Sequence, residues 1–152
     1  MMSVLFFAVT IATALALMSL GGGLYEFSVV DQVWPARPEL IQPNRGGLSR
    51  RRFWIPAHVA FELGLIVSLI VAWSVVELRT WLLVALVSHA TMRVWSALDF
   101  IPKALVFEKV DPVTISEDTA RCWVRRSLLR LPLDLVTCVA MLTALTQAGR
   151  LM

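Results

Sequence analysis

Four long apolar runs constrain this chain more than any other feature. "MMSVLFFAVTIATALALMSL" carries no charge, "FWIPAHVAFELGLIVSLIVAWSVV" has one His and one Glu, "TWLLVALVSHATM" leads into a more polar half, and "LPLDLVTCVAMLTALTQAG" has one Asp. Each approaches the roughly 20 residues that cross a bilayer as helix. A soluble domain needs more polar surface than a chain that is 58% hydrophobic and 16% charged, with mean hydropathy +0.73. The expected fold is all-α: one integral membrane domain over residues 1–152, an antiparallel four-helix bundle with helices at about 2–31, 53–76, 80–107 and 117–148. The first run lacks a basic segment before its apolar core, so it reads as a retained helix and not a cleaved signal peptide.

Basic residues set the expected topology. Arg37, Arg45, Arg50, Arg51 and Arg52 lie in the first connection, and Lys103, Lys109, Arg121, Arg125 and Arg126 lie in or beside the third. The second turn holds only Arg79 and the C-terminus only Arg150. The positive-inside rule puts both termini outside and the basic loops in the cytoplasm, with the cell's inner membrane as the expected location. Anionic headgroups account for the net charge of +3. The basic residues flank membrane spans, so nucleic acid is not expected as a partner. The bilayer itself and a lipophilic small molecule are.

Local signals refine the elements. Pro35, Pro38 and Pro43 break the first connection, and Trp34 and Trp54 bracket it as interfacial aromatics do. "VELRT" reads as a short turn between helices two and three. Ser116 reads as an N-cap for the fourth helix, and Pro132 as a kink inside it. Cys122 and Cys138 are 16 residues apart on that helix, too far to bridge, and read as small packing residues.

Ionisable residues inside spans are functional candidates. They are Glu26 on helix one, with Tyr25 beside it; His58 and Glu62 on helix two; His89, Arg93 and Asp99 on helix three; and Arg126, Arg130 and Asp134 on helix four. His58 and Glu62 share a face at i, i+4, as do His89 and Arg93, while Arg126, Arg130 and Asp134 form a stripe. Counted from the cytoplasmic ends, Glu62, Arg93 and Arg130 sit roughly 14 Å deep, with His89 about five residues deeper than His58. The expectation is a polar cavity open to the cytoplasmic side. The alternative is structural: Arg130 with Asp134 and Arg93 with Glu62 as ion pairs that fix helix register. Asp99, Lys103, Arg125 and Arg126 lie near the interface, where long side chains snorkel. Gly22 and Gly23 share the face of Glu26 and are expected to let a neighbouring helix approach, turning Glu26 toward His58 and Glu62.

Two chemistries fit these residues. His58, Glu62 and His89, with Glu26 in reserve, form a ligand set suited to non-haem iron with open positions, or to zinc. A bis-histidine haem fits less well, because the two histidines count to different depths. Without a metal, Glu62 or Glu26 serves as a base, His58 or His89 relays a proton, and Arg93 and Arg130 stabilise an enolate or phenolate. Candidate catalytic residues are therefore Glu62, His58, His89, Arg93 and Arg130, and candidate substrate contacts are Glu26, Tyr25, Trp95 and Asp134. Ser-His-Asp, phosphate-loop and dinucleotide signatures are absent.

"RRFWIPAHVAFELG", "MRVWSALDFIPKALVFE" and "ARCWVRRSLLRLPLDL" together resemble small four-helix membrane proteins of the anthrone-oxygenase-like group. The resemblance covers nearly the whole chain and maps onto His58, Arg93, Trp95, Ile101, Pro102, Trp123 and Arg130. Most of that group is of unknown function, and its few characterised members oxidise polyketide anthrones to anthraquinones. The resemblance implies a membrane-embedded oxygenase-like oxidoreductase for a lipophilic aromatic or polyketide-type substrate. The competing expectation is a non-enzymatic membrane subunit, assembly partner or transport element. As a transport element, four helices would need a homo-oligomer.

Overall fold

The computed structural model describes residues 2–152, and these residues are mostly helical, joined by short turns and loops, without strands. Four helical segments are long and apolar enough to cross a membrane: Met2–Val30, Arg51–Val71, Val76–Phe107 and Glu117–Arg150. The first is α1 (Met2–Tyr25) continued by a π-helical turn at Glu26–Val30. The second is α2 (Arg51–Val71). The third is α3 (Val76–Trp95), a second π-helical turn at Ser96–Phe100, and α4 (Ile101–Phe107). The fourth is α5 (Glu117–Leu128) followed by α6 (Leu131–Arg150).

Several boundaries differ from expectation for local reasons. The turn between helices two and three falls at residues 72–75, and "VELRT" is already helical. Here Ala72, Trp73 and Val75 bond back through their backbone N–H groups, and apolar Val75 gives no cue to the break. Pro132 does not kink a continuous helix. The chain breaks at Leu129 and Arg130, and Pro132 then sits in the first turn of α6, where its missing N–H leaves no bond unmade. Ser116 occupies the N-cap of α5 without a side-chain bond to the helix. Cys138 is buried as a packing residue, but Cys122 is exposed.

The helices pack around two separate cores. One is mainly aliphatic, with one aromatic: Leu5, Val9, Ala12 and Ala16 of α1, Phe61 and Leu65 of α2, Leu82 and Ala85 of α3, and Met141 and Ala144 of α6. Gly64 supports it, since a Cβ there would lie 3.5 Å from the Ala12 backbone. Without that Cβ, α1 and α2 approach closely, as small residues allow in membrane bundles. The other core is aromatic and lies under the first connection: Trp34, Ile41, Phe100, Phe107, Ala120, Trp123 and Val124. Trp34 is fully buried there, 5.4 Å from Phe107 and 5.8 Å from Trp123 between ring centroids, so it is not an interfacial anchor. Gln42 ties the connection down by donating to the carbonyls of Phe107 (2.7 Å) and Val110 (2.9 Å).

The four spans do not pack evenly. α1 lies against both α2 and α6, and α3 lies against α6. α2 and α3 are joined by a short turn, yet touch little. The bundle therefore has a loosely closed seam between its second and third spans.

Candidate functional site

Glu26, His58, Glu62, His89, Arg93 and Arg130 form a belt of polar residues across the bundle. Its backbone is irregular: the π-helical turn Glu26–Val30 starts at a candidate residue, and the turn Ser96–Phe100 starts at a partner of Arg130. Such π-turns re-aim side chains and recur at functional sites.

On the α1 side, Glu26 accepts from Arg50 Nη1 at 3.3 Å and from the indole Nε1–H of Trp54. Only 20% of the Glu26 side chain and 10% of Arg50 is exposed. Glu26 thus turns inward, but it meets Arg50 and Trp54, not His58 and Glu62 directly. Gly22 makes room for this arrangement, because a Cβ there would collide with the ring of Phe53. Tyr25 points the other way and is 62% exposed, away from the belt.

Trp54 carries the contact onward. Its indole stacks on the His58 imidazole with centroids 5.3 Å apart and planes 21° apart. His58 in turn lies 5.6 Å from the His89 ring. The five-residue depth difference counted along the sequence is therefore closed in space. The edge of Phe61 against His89, 4.8 Å between centroids, completes an aromatic wall. His58 is buried, and its Nδ1 has no hydrogen-bond partner among the described residues.

His89 Nε2 and Glu62 Oε1 are 3.3 Å apart, and Arg93 Nε donates to the same carboxylate oxygen at 3.0 Å. The Arg93–Glu62 ion pair expected from the sequence therefore forms. Glu62 and Arg93 keep 39% and 35% of their side chains exposed, whereas His89 keeps 5%. The pair sits at the α2–α3 seam, with both imidazoles behind it.

The expected pair of Arg130 and Asp134 does not form. The chain break at Leu129 and Arg130 disrupts the i, i+4 stripe, and Arg130 turns toward helix three. It donates to Ser96 Oγ at 2.8 Å and lies 4.4 Å over the Phe100 ring. Asp134 is half-buried without a side-chain partner among the described residues. Arg126 diverges outward to Asp99. Trp95 packs on Phe100 at 5.6 Å and lines the aromatic core, apart from the two histidines.

His58, Glu62 and His89 are thus neighbours, but Arg93 claims the carboxylate. Among the described residues no three His, Cys, Asp or Glu side chains converge as a metal-ligand group. The donor set as placed suits proton transfer and anion stabilisation better than coordination.

No protein-family model, curated protein or solved structure significantly matches this chain.

Asp31 belongs to the belt and was not among the sequence candidates. It is buried and accepts from Trp34 Nε1 at 2.8 Å. Burial, reinforced by the nearby Glu26 charge, pushes its carboxyl up to about 6, against the Trp34 hydrogen bond and the charges of Arg50 and Arg130. A carboxyl raised above its unfolded value takes up a proton on folding. Its contribution to stability is therefore greatest below pH 4 and declines as pH rises through about 6. Asp31→Asn keeps an acceptor for Trp34 and removes the titration. Thermal unfolding between pH 5 and 8 is expected to show the variant more stable than wild type at pH 8, by up to about 3 kcal/mol, with the gap closing toward pH 5. A gap independent of pH would mean that Asp31 is solvated.

Proposed function

We propose that this chain is a membrane-embedded oxidoreductase of the oxygenase-like type, oxidising a lipophilic aromatic or polyketide-type substrate at the polar belt. In this reading the bundle is antiparallel and inserted in the cell's inner membrane, with both termini outside and the basic connections cytoplasmic. The observation that carries the proposal is the seam. Glu62 and Arg93 stand partly open near the middle of their spans, with an unpartnered buried His58 close behind. Glu62 and Arg93 pair with each other, but their open faces at that depth stay costly unless a further polar group covers them. A lipophilic molecule with an acidic group, entering laterally from the bilayer, supplies that group.

The chemistry follows from the residues. His58 takes a proton from an acidic CH2 group conjugated to a carbonyl, and Arg93 and Arg130 stabilise the resulting enolate. His89, held by Glu62, keeps the His58 ring in place from the far side. The enolate carbon then gives its electron pair to dioxygen, forming a C–O bond and a peroxide that recovers the proton from His58. Loss of water leaves a carbonyl, so CH2 and O2 become C=O and H2O. The motif resemblance to anthrone-oxygenase-like proteins supports the same substrate class.

A second reading is favoured by one observation: two of the belt carboxylates, Glu26 and Glu62, are already held by arginines. In that reading the belt only fixes helix register. Full-length protein in nanodiscs, supplied with a hydroxylated anthrone and dioxygen, separates the two. The oxidoreductase is expected to raise quinone formation well above the spontaneous oxidation in empty nanodiscs, with one O2 consumed per quinone. Equal rates in loaded and empty discs would refute the enzyme and leave the scaffold.

A further inference from the structure

A separate cleft of about 390 Å³ lies between the end of the third span and the start of the fourth. That volume falls within the range of small-molecule sites, roughly 300–1,000 Å³. One wall is apolar: Phe100, Val106, Phe107 and Trp123. The mouth is cationic. Lys103 Nζ and Arg126 Nη2 bind opposite oxygens of a single carboxylate, Asp99, at 2.6 and 2.5 Å. Asp99 is 18% exposed, while Lys103 and Arg126 are each about half exposed. One partly exposed anion thus holds two cations side by side and leaves a net positive charge facing out. Each cation keeps unused N–H donors, since Lys has three and Arg five.

We propose that this cleft is a binding site for an anionic phospholipid, with the phosphate on Lys103 and Arg126 and an acyl chain against Phe100, Phe107 and Trp123. Charge complementarity and position both point to this occupant. The cleft opens where two apolar spans end; in the topology proposed above those ends meet the cytoplasmic headgroups, and basic pockets between spans take anionic headgroups there. The site is distinct from the belt, but Phe100 is shared: one wall residue of the cleft is the ring beneath Arg130. A bound chain would therefore brace the aromatic core that supports Arg130.

The test uses the full chain purified in a zwitterionic detergent, with lipid retention read by native mass spectrometry. Phosphatidylglycerol is expected to be retained about thirtyfold better than phosphatidylcholine, the factor for two juxtamembrane cations. The variant K103Q/R126Q is expected to lose that preference. The variant R37Q/R52Q, with the same change in net charge elsewhere, is expected to keep it, and K103R is expected to keep it too. Helical content by circular dichroism checks that each variant folds. Equal loss in both double variants would mean diffuse surface attraction and overturn the site. Equal retention of glycerol phosphate and phosphatidylglycerol would show that the apolar wall takes no part, which also overturns it. Retention of naphthoate in place of phosphatidylglycerol would assign the cleft to an aromatic acid instead.

Discussion

His58→Gln is expected to lower the rate of anthrone oxidation about 10²- to 10⁴-fold, the range for loss of a positioned acid–base group. Its folding is expected to be unchanged. The prediction is sharp because His58 makes few structural commitments. Its Nδ1 bonds to nothing among the described residues, and its main ring contacts are a stack on Trp54 and a tilted contact with His89. Glutamine is close in volume and polarity but cannot take up a proton near neutral pH. His89→Gln is a useful companion, since an amide can still donate to Glu62 and the ring's own proton chemistry is lost. A positioning role for His89 predicts a much smaller fall in kcat than at His58. The pH–rate profile gives a readout that a structural role would not move: the limb due to the base should be present in His89→Gln and missing in His58→Gln. If folded His58→Gln keeps its rate within about threefold of wild type, the base lies elsewhere.

Much of the belt was written on α2 in plain sight. Arg50, Trp54, His58 and Glu62 follow one another at intervals of four, so a single helix face carries the contact chain from Glu26 to Arg93. Attention to ionisable residues alone picks out His58 and Glu62, and misses Trp54, whose role depends on its ring and its one N–H. The four spans were legible because their apolar runs are long. The belt's other half was not, because it depends on departures from regular helix. Asp31 follows Glu26 by five residues, and the backbone N–H of Asp31 bonds to the Glu26 carbonyl at 2.8 Å across the π-turn. No 3.6-residue period places those two together. Arg130 is similar. A helix continuous through Pro132 keeps it in line with Asp134, whereas the break at Leu129 and Arg130 sends it to Ser96. The seam between α2 and α3 was also invisible, since a short turn suggests close packing and says nothing of how far the helices diverge.

Glu26→Leu is expected to destabilise the fold by about 3–5 kcal/mol, because it strands the Arg50 guanidinium. Arg50 is nine-tenths buried beneath Trp34 and Trp123, 5.8 and 5.4 Å from their ring centroids, and its Nη2 already lacks a partner. The two indole faces offset part of the charge, but Glu26 is its only ion-pair partner among the described residues. Removing both charges together is a different experiment. Glu26→Leu with Arg50→Met leaves no buried ion, and is expected to recover most of the loss, as apolar replacement of whole buried pairs often does. Glu26→Gln is expected to cost less than Glu26→Leu, since an amide oxygen still accepts from Trp54 or Arg50. Equilibrium unfolding in mixed micelles measures all three. The same variants report on the belt, because Glu26→Leu also frees the Trp54 indole that stacks on His58. The double variant should therefore regain stability without regaining full activity. A Glu26→Leu cost below about 1 kcal/mol, the scale of an exposed pair, would mean that water reaches Arg50 and that this end of the belt is not sealed.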